Sequence, residues 1–399
     1  MKRLMKDKQG LGRKLTALCL CGVLTLGLTA PALGAEASLD ELDQQAADEA
    51  KKILITLEDV DKLARSKGTE VKSARSDLAV AEAAEFNAEM SWYDYRYLAA
   101  FSNEAQAAMD AAAETLRTKR TDLRYAETNA EHQGLVAIYN AEQIYLNYLN
   151  LQDSLALAKD SLALQQENVK VEKLMVSLGL STSASLRSKE LAAQEQQETI
   201  ATLEKNLDIL GQNLLRQLGM EEDTEFRLDP AVSTEGLEEN YEVDRLTEAL
   251  LSQSAAIKKM DESMDQMRDN IDDSSNTVPV RDVYGAQLDG LKLSKEQMIS
   301  GFKTLCRSTV QNLETTKNSL PLLENKVSEA QTAYDTTALR LKLGLEAKLN
   351  LQAGAVAVKN AQLELVKAER NYYLNLRGTQ LLMKGITDHV MGTGTASEA

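Results

Sequence analysis

Cysteine, proline, glycine, aromatic residues and positive charge are all scarce in this chain, and each shortage removes a class of protein. Its 399 residues hold three cysteines. Cys19 and Cys21 lie in an N-terminal apolar stretch, so Cys306 alone serves the rest of the chain. One thiol makes no intramolecular bridge, which excludes a disulfide-stapled secreted domain. Of four prolines, Pro230, Pro279 and Pro321 lie beyond residue 35, and glycine totals 20. No Gly-rich strand–turn–helix pattern occurs, which argues against nucleotide-handling enzymes. Aromatics make up 4% of the chain, so a sheet protein is a poor fit. The net charge is −16, and becomes −21 once the basic first 35 residues are set aside. Such a surface offers no cations to displace counterions from phosphates, so nucleic acid is not an expected partner. His132 and His389 stand far apart without a nearby cysteine, so no metal is expected. No nucleophile–base constellation stands out, and we expect no enzyme activity, no catalytic residue and no cofactor.

What is present begins with an export signal. Lys2, Arg3, Lys6, Lys8, Arg13 and Lys14 precede the apolar run Leu15–Leu28, and the small residues around Pro31–Ala37 follow. A basic stretch, a short apolar core and a small-residue site describe a signal peptide over 1–35, with cleavage after Ala35 or Ala37. The core is shorter than the ~20 residues of a spanning helix, though a retained anchor is the alternative. No later segment combines transmembrane length with low charge. The body of the chain is therefore expected at the cell envelope or outside it, without a spanning helix.

Beyond the leader, charged residues (27% of the chain) and Ala, Leu, Glu, Gln and Lys dominate, as in long helices and coiled coils. Helical texture runs from Leu42 to about Phe101 and again from Asn103 to Leu178. Within the second run Ile144, Tyr148, Leu151, Leu155, Ala158, Leu162, Gln165 and Val169 alternate steps of four and three, a heptad seam. Leu157, Leu164 and Val171 form a second stripe, so this helix has partners on two sides. Gly179 ends it, and Ser181–Ser183 offer the next N-cap, giving a tight helix–helix turn. A third helix reaches about Leu218. Residues 221–241 read as an acidic linker, helices resume from 242, a long one from about Ala286 is expected to kink at Pro321, and another turn falls at Gly344. Residues 387–399 read as a disordered tail.

The two turns match. A shift of 165 residues lays Leu178-Gly179-Leu180 on Leu343-Gly344-Leu345, and pairs Leu186 with Leu351, Ala192 with Ala357, Glu204 with Glu369 and Asn206 with Asn371. Lys205 then faces Arg370. Duplication of a helical unit, over 36–220 and 242–386, explains this phasing. A duplicated, Ala/Leu/Gln-rich chain with a Gly-Leu turn before the last helix of each half resembles the TolC-like outer-membrane efflux protein family. The residues that carry the likeness are Gly179–Leu186 and Gly344–Ala353. The resemblance implies an all-α fold of long antiparallel coiled-coil helices in two tandem repeats. It implies a homotrimer whose helices form a tunnel, a passive conduit for efflux or secretion that docks a HlyD-like periplasmic adaptor and an inner-membrane exporter. Leu178, Gly179, Leu180, Leu343, Gly344 and Leu345 would form the adaptor-docking tips. The chain departs from the family in showing no segment that suits its membrane β-hairpins. Asn350 and Ala353 stand where acidic residues would be expected, and Glu346 where a basic gate residue would. A non-conducting extracytoplasmic coiled-coil scaffold derived from the same family is the alternative.

One further cluster stands out. Trp92, Tyr93, Tyr95, Tyr97 and Phe101 sit at the expected apex of the first hairpin, where family members enter the outer membrane. They read either as an aromatic belt at a lipid boundary or as packing at a helix end. Cys306 lacks a nearby base and reads as a small buried residue.

Overall fold

The computed structural model describes residues 52–99, 102–234, 236–238, 240–272 and 278–387. The expected signal peptide, Phe101, His389 and all of the tail except Thr387 lie outside the described residues. The elements run β1 (Ile53–Ile55), α1 (Leu57–Lys67), α2 (Thr69–Leu98), α3 (Asn103–Ser177), α4 (Ser183–Gln217), β2 (Phe226–Leu228), α5 (Val243–Gln253), α6 (Ala255–Asp272), α7 (Val278–Lys342) and α8 (Lys348–Met383). The expected all-α class holds: among the described residues the two strands are three residues each and pair only with one another. By compactness the chain divides in two. Among the described residues, one unit joins those up to Leu54 with Glu225–Ala231; the other takes Ile55–Thr224 and those from Val232 onward.

The large unit is built from helical hairpins. The 75-residue α3 extends about 110 Å at ~1.5 Å per residue. α2 packs along its first half and α4 along its second, while α7 pairs with α8, and α3 with α8. Lys159–Glu204 (2.9 Å) and Lys173–Glu190 (3.0 Å) are rungs of the antiparallel α3–α4 pair. Between them lies the seam read from the sequence: Leu155, Ala158 and Leu162 meet Ile200, Leu203 and Leu207. In the other half Leu246, Leu250, Ile257, Phe302, Cys306, Val310 and Leu382 make one buried cluster. Cys306 is fully buried there, and burial pushes its thiol pKa up.

Both halves use the same joints. An 11-residue helix (α1 or α5) is followed by a single non-helical residue, Gly68 or Ser254, before the next helix starts. The last helix of each half, α4 or α8, closes on a glycine at positive φ, Gly219 (63°) or Gly385 (82°). These glycines press on matching places. A Cβ on Gly219 would come within 2.7 Å of the Lys67 side chain, and one on Gly385 within 2.5 Å of the Gln253 carbonyl carbon.

Three expectations need correction. The helix expected from Leu42 to Phe101 is broken: β1 precedes α1, which starts at a Thr56/Asp59 capping box and stops at Gly68. A Cβ at Gly68 would lie 2.6 Å from the Ala64 carbonyl oxygen and 3.3 Å from the Ala137 side chain, so close backbone approach to α3 sets the break. The acidic linker carries β2. Finally, α7 starts at Val278 rather than near Ala286, because Pro279 sits in the first turn, where its missing N–H has no helical partner to lose. The same helix continues through Pro321.

Candidate functional site: the two helix reversals

Each long helix ends in the same device. After α3, the Gly179 N–H donates to the Val176 carbonyl (3.0 Å) and the Leu180 N–H to that of Met175 (2.8 Å). After α7, Gly344 donates to Leu341 (2.9 Å) and Leu345 to Arg340 (2.9 Å). This paired pattern closes a helix with one left-handed residue, and Gly179 (φ 72°) and Gly344 (φ 73°) supply it. Outgoing caps differ. Thr182 accepts from the Ser185 N–H (3.2 Å) to start α4, whereas Ala347 gives α8 no side-chain cap.

The leucines beside these glycines point away from the bundle. Leu178, Leu180, Leu343 and Leu345 are 64%, 70%, 65% and 69% exposed. A carboxylate stands beside each turn. Ser181 and Ser185 hold Glu172 below the usual carboxylate range. Asn350 (2.6 Å) and the Ala347 amide do the same for Glu346, which also faces Arg340 at 3.9 Å. Asn350 thus serves Glu346 as a hydrogen-bond donor.

The aromatic cluster lies in the last two turns of α2. Tyr93, Tyr95 and Tyr97 are 49%, 41% and 75% exposed. Trp92 is half-buried, with the Arg96 guanidinium 5.1 Å from its ring centre and the Tyr93 ring at 5.1 Å.

Sequence reasoning missed the polar clasp between the halves. Glu142 on α3 is 1% exposed, and accepts from the Tyr373 hydroxyl (2.9 Å) and Arg377 Nε (3.0 Å) on α8. Burial pushes its carboxyl pKa up, against the pull of Arg377. Two turns along α8, buried Arg370 donates to Asn150 (2.8 Å) and Asp153 (2.7 Å) of α3. The one available signal was a glutamate inside the most apolar stretch of α3. A second cluster joins α2, α3 and α4: Glu70 accepts from Gln217 (2.6 Å) and Asn140 (3.5 Å). Among the described residues no group of His, Cys, Asp and Glu could hold a metal ion, and no helix is long and apolar enough to cross a membrane.

Solved structures share this arrangement. The chain is similar to the Campylobacter jejuni CmeC outer membrane channel, at 11% identity and a TM-score of 0.58 over 84% of this chain and 88% of that one. It is similar to the outer membrane protein VceC of Vibrio cholerae, at 13% identity and 0.54 over 83% and 97%. It is also similar to the outer-membrane channel OprN, at 12% identity and 0.58 over 83% and 90%. The fold is thus that of TolC-like outer-membrane channels, as the resemblance in the sequence implied. No protein-family model and no curated protein sequence matches the chain.

Proposed function

We propose that this chain is an exported, TolC-like conduit component of a cell-envelope efflux or secretion assembly. It works as a homotrimer of a duplicated hairpin unit, without bond chemistry, while an inner-membrane exporter supplies the energy. Its tips dock a HlyD-like adaptor. The observation that carries this reading is the pair of matched reversals, each offering two bare leucines on a glycine-closed turn. Such small apolar knobs suit a helical-hairpin partner. The test is cross-linking of Leu180→Asp with Leu345→Asp to the adaptor encoded beside this chain. Binding and export should be lost while circular dichroism and trimer formation stay nearly unchanged. Normal binding by the double variant would remove the rim as the docking surface; unfolding would make the leucines structural.

One observation favours a second reading, a non-conducting scaffold of the same fold. Four residues separate α2 from α3, and five separate α6 from α7. A pair of membrane strands needs about 9–11 residues each, so the helices leave no room for the hairpins at these two places. Neighbouring genes for an exporter and an adaptor favour the conduit, and their absence the scaffold.

A further inference from the structure

α8 lies along α3 and is tied to it at three polar stations. At the first, Lys359 meets Asp160 (2.5 Å); at the second, Arg370 meets Asp153 (2.7 Å) beside the neutral amide of Asn150. Each sets one cation against one carboxylate. The third station is built differently. Arg377 holds Glu142 with two nitrogens, Nη2 at 2.8 Å and Nε at 3.0 Å, and its Nη2 also faces Asp61 of α1 at 3.7 Å. Two carboxylates thus stand on one guanidinium, and they do so at the deepest of the three stations. The Glu142 side chain is 1% exposed, against 41% for Asp160 and 42% for Asp153.

The groups around this cluster supply hydrogen bonds but no second cation. On α8, Tyr373 donates to Glu142 (2.9 Å), and Gln380 accepts from Arg377 Nη1 (3.5 Å). On α3, Tyr139 faces Glu142; burial first, and then that carboxylate, push its phenol pKa up. On α1, Lys62 is exposed and pairs with Glu58 (3.8 Å), and Arg65 is exposed beside Gly134 of α3. Asp61 Oδ1 is buried and has no hydrogen-bond partner among the described residues. With both acids ionised the cluster therefore carries one negative charge in excess, which a low-dielectric site disfavours. One proton makes it neutral: one carboxylate keeps Arg377 and the other becomes an acid. Glu142 and Asp61 face each other, so that proton belongs to the pair rather than to either residue. Burial raises the Glu142 carboxyl, Arg377 pulls it down and the charge of Asp61 raises it again, with a net shift above the ordinary 4.5.

We propose that the Glu142–Asp61–Arg377 cluster is a proton-operated clasp, closed between α3 and α8 while it holds one proton and released when that proton leaves. The sign follows from linkage. A carboxyl raised in the folded state supports that state fully below its unfolded value, and the support is lost as pH rises through the folded one. The other two stations are balanced pairs with no such proton to lose. Release is therefore confined to the last turns of α8, from Tyr372 to Met383, while the joint at Lys359 and Arg370 stays fastened. The clasp lies within one chain, so it does not depend on the trimeric or the conduit reading.

The test is amide hydrogen exchange by mass spectrometry on the full chain between about pH 5 and about pH 8, corrected for the intrinsic rate at each pH. Protection across Tyr372–Met383 should fall about tenfold or more as pH rises, while protection around Lys359 stays constant. Glu142→Gln removes one of the two charges and Asp61→Asn the other. Either variant leaves one carboxylate on Arg377, so either should keep Tyr372–Met383 protected across the whole range. Glu142 is deeply buried, and its variant has to retain helical circular dichroism before its exchange is read. Asp61 is half exposed, and Asp61→Asn alone decides the matter if Glu142→Gln does not fold. Protection in the parent chain that is the same at both ends of the range overturns the clasp. So does a loss of protection that Asp61→Asn shares in full, because the proton would then be leaving from another group. A loss that spreads evenly along α8 to Lys359 also overturns it, since the release would not be local.

Discussion

Four glycines close long helices at positive φ, yet their surroundings differ, and so should the cost of replacing them. Gly179 and Gly344 have nothing within 4 Å of an added Cβ. Alanine there pays only for the left-handed backbone, about 1–2 kcal/mol. Gly385 adds overlap with the backbone of Gln253, where carbonyl carbon and oxygen would lie 2.5 and 2.6 Å away. Neither atom is the end of a flexible side chain, so Gly385→Ala should cost on the order of 3 kcal/mol or more. Gly219→Ala should fall between, because its neighbour is the Lys67 side chain, which can move. Urea unfolding of the four single variants measures the order. Equal midpoints would mean that the joint between α8 and α5 relaxes freely. The tip glycines thus serve geometry at small energetic cost, whereas the other pair holds each hairpin against its own 11-residue helix.

Elements meet through polar clusters as well as seams, and these titrate. Burial raises the Glu70 carboxyl, but hydrogen bonds from Gln217, its own amide, Thr69 and Asn140 outweigh it and leave the pKa below the ordinary 4.5. Asp122 behaves alike: burial raises it, and Lys259 and Lys119 bring it below 3.8. A carboxyl lowered in the folded state contributes stability that is present above its unfolded value and is lost as pH falls through its folded one. Stability should therefore drop on acidification below about pH 4.5, and Glu70→Gln should flatten that drop. An unchanged acid limb in thermal melts of Glu70→Gln would remove Glu70 from the account. Burial pushes Glu142 the other way, so its contribution is greatest below pH 4.5 and fades as pH rises through its folded value. Legibility followed the same division. The α3 seam, both glycine turns and the all-α class could be read because heptads and left-handed caps leave short-range patterns. The break at Gly68 could not, since it depends on Ala137 lying against it. Nor could the Glu142–Arg377 clasp, whose partners are more than 200 positions apart.

For the whole molecule the decisive question is what happens at the aromatic end. A conducting barrel needs alternating strands of about 9–11 residues joined by turns, because every backbone N–H and C=O must be paired within lipid. Here α2 is helical to Leu98 and α3 is helical from Asn103. In the second half α6 reaches Asp272 and α7 begins at Val278. Converting either junction to a hairpin would require unwinding roughly two turns or more on each side, and would expose charged Glu89, Asp94, Asp282 and Asp289 to hydrocarbon. Each such charge costs on the order of 2–3 kcal/mol or more near the bilayer centre. Helix should therefore persist, and the purified chain should give no stepwise conductance in planar bilayers at any protein concentration that remains soluble. Reproducible current steps from a homogeneous preparation, lost in a Tyr93→Asp variant, would show that the apex refolds in lipid. Silence in the bilayer, together with export that depends on Leu180 and Leu345, would describe a conduit whose outer end is finished by helices.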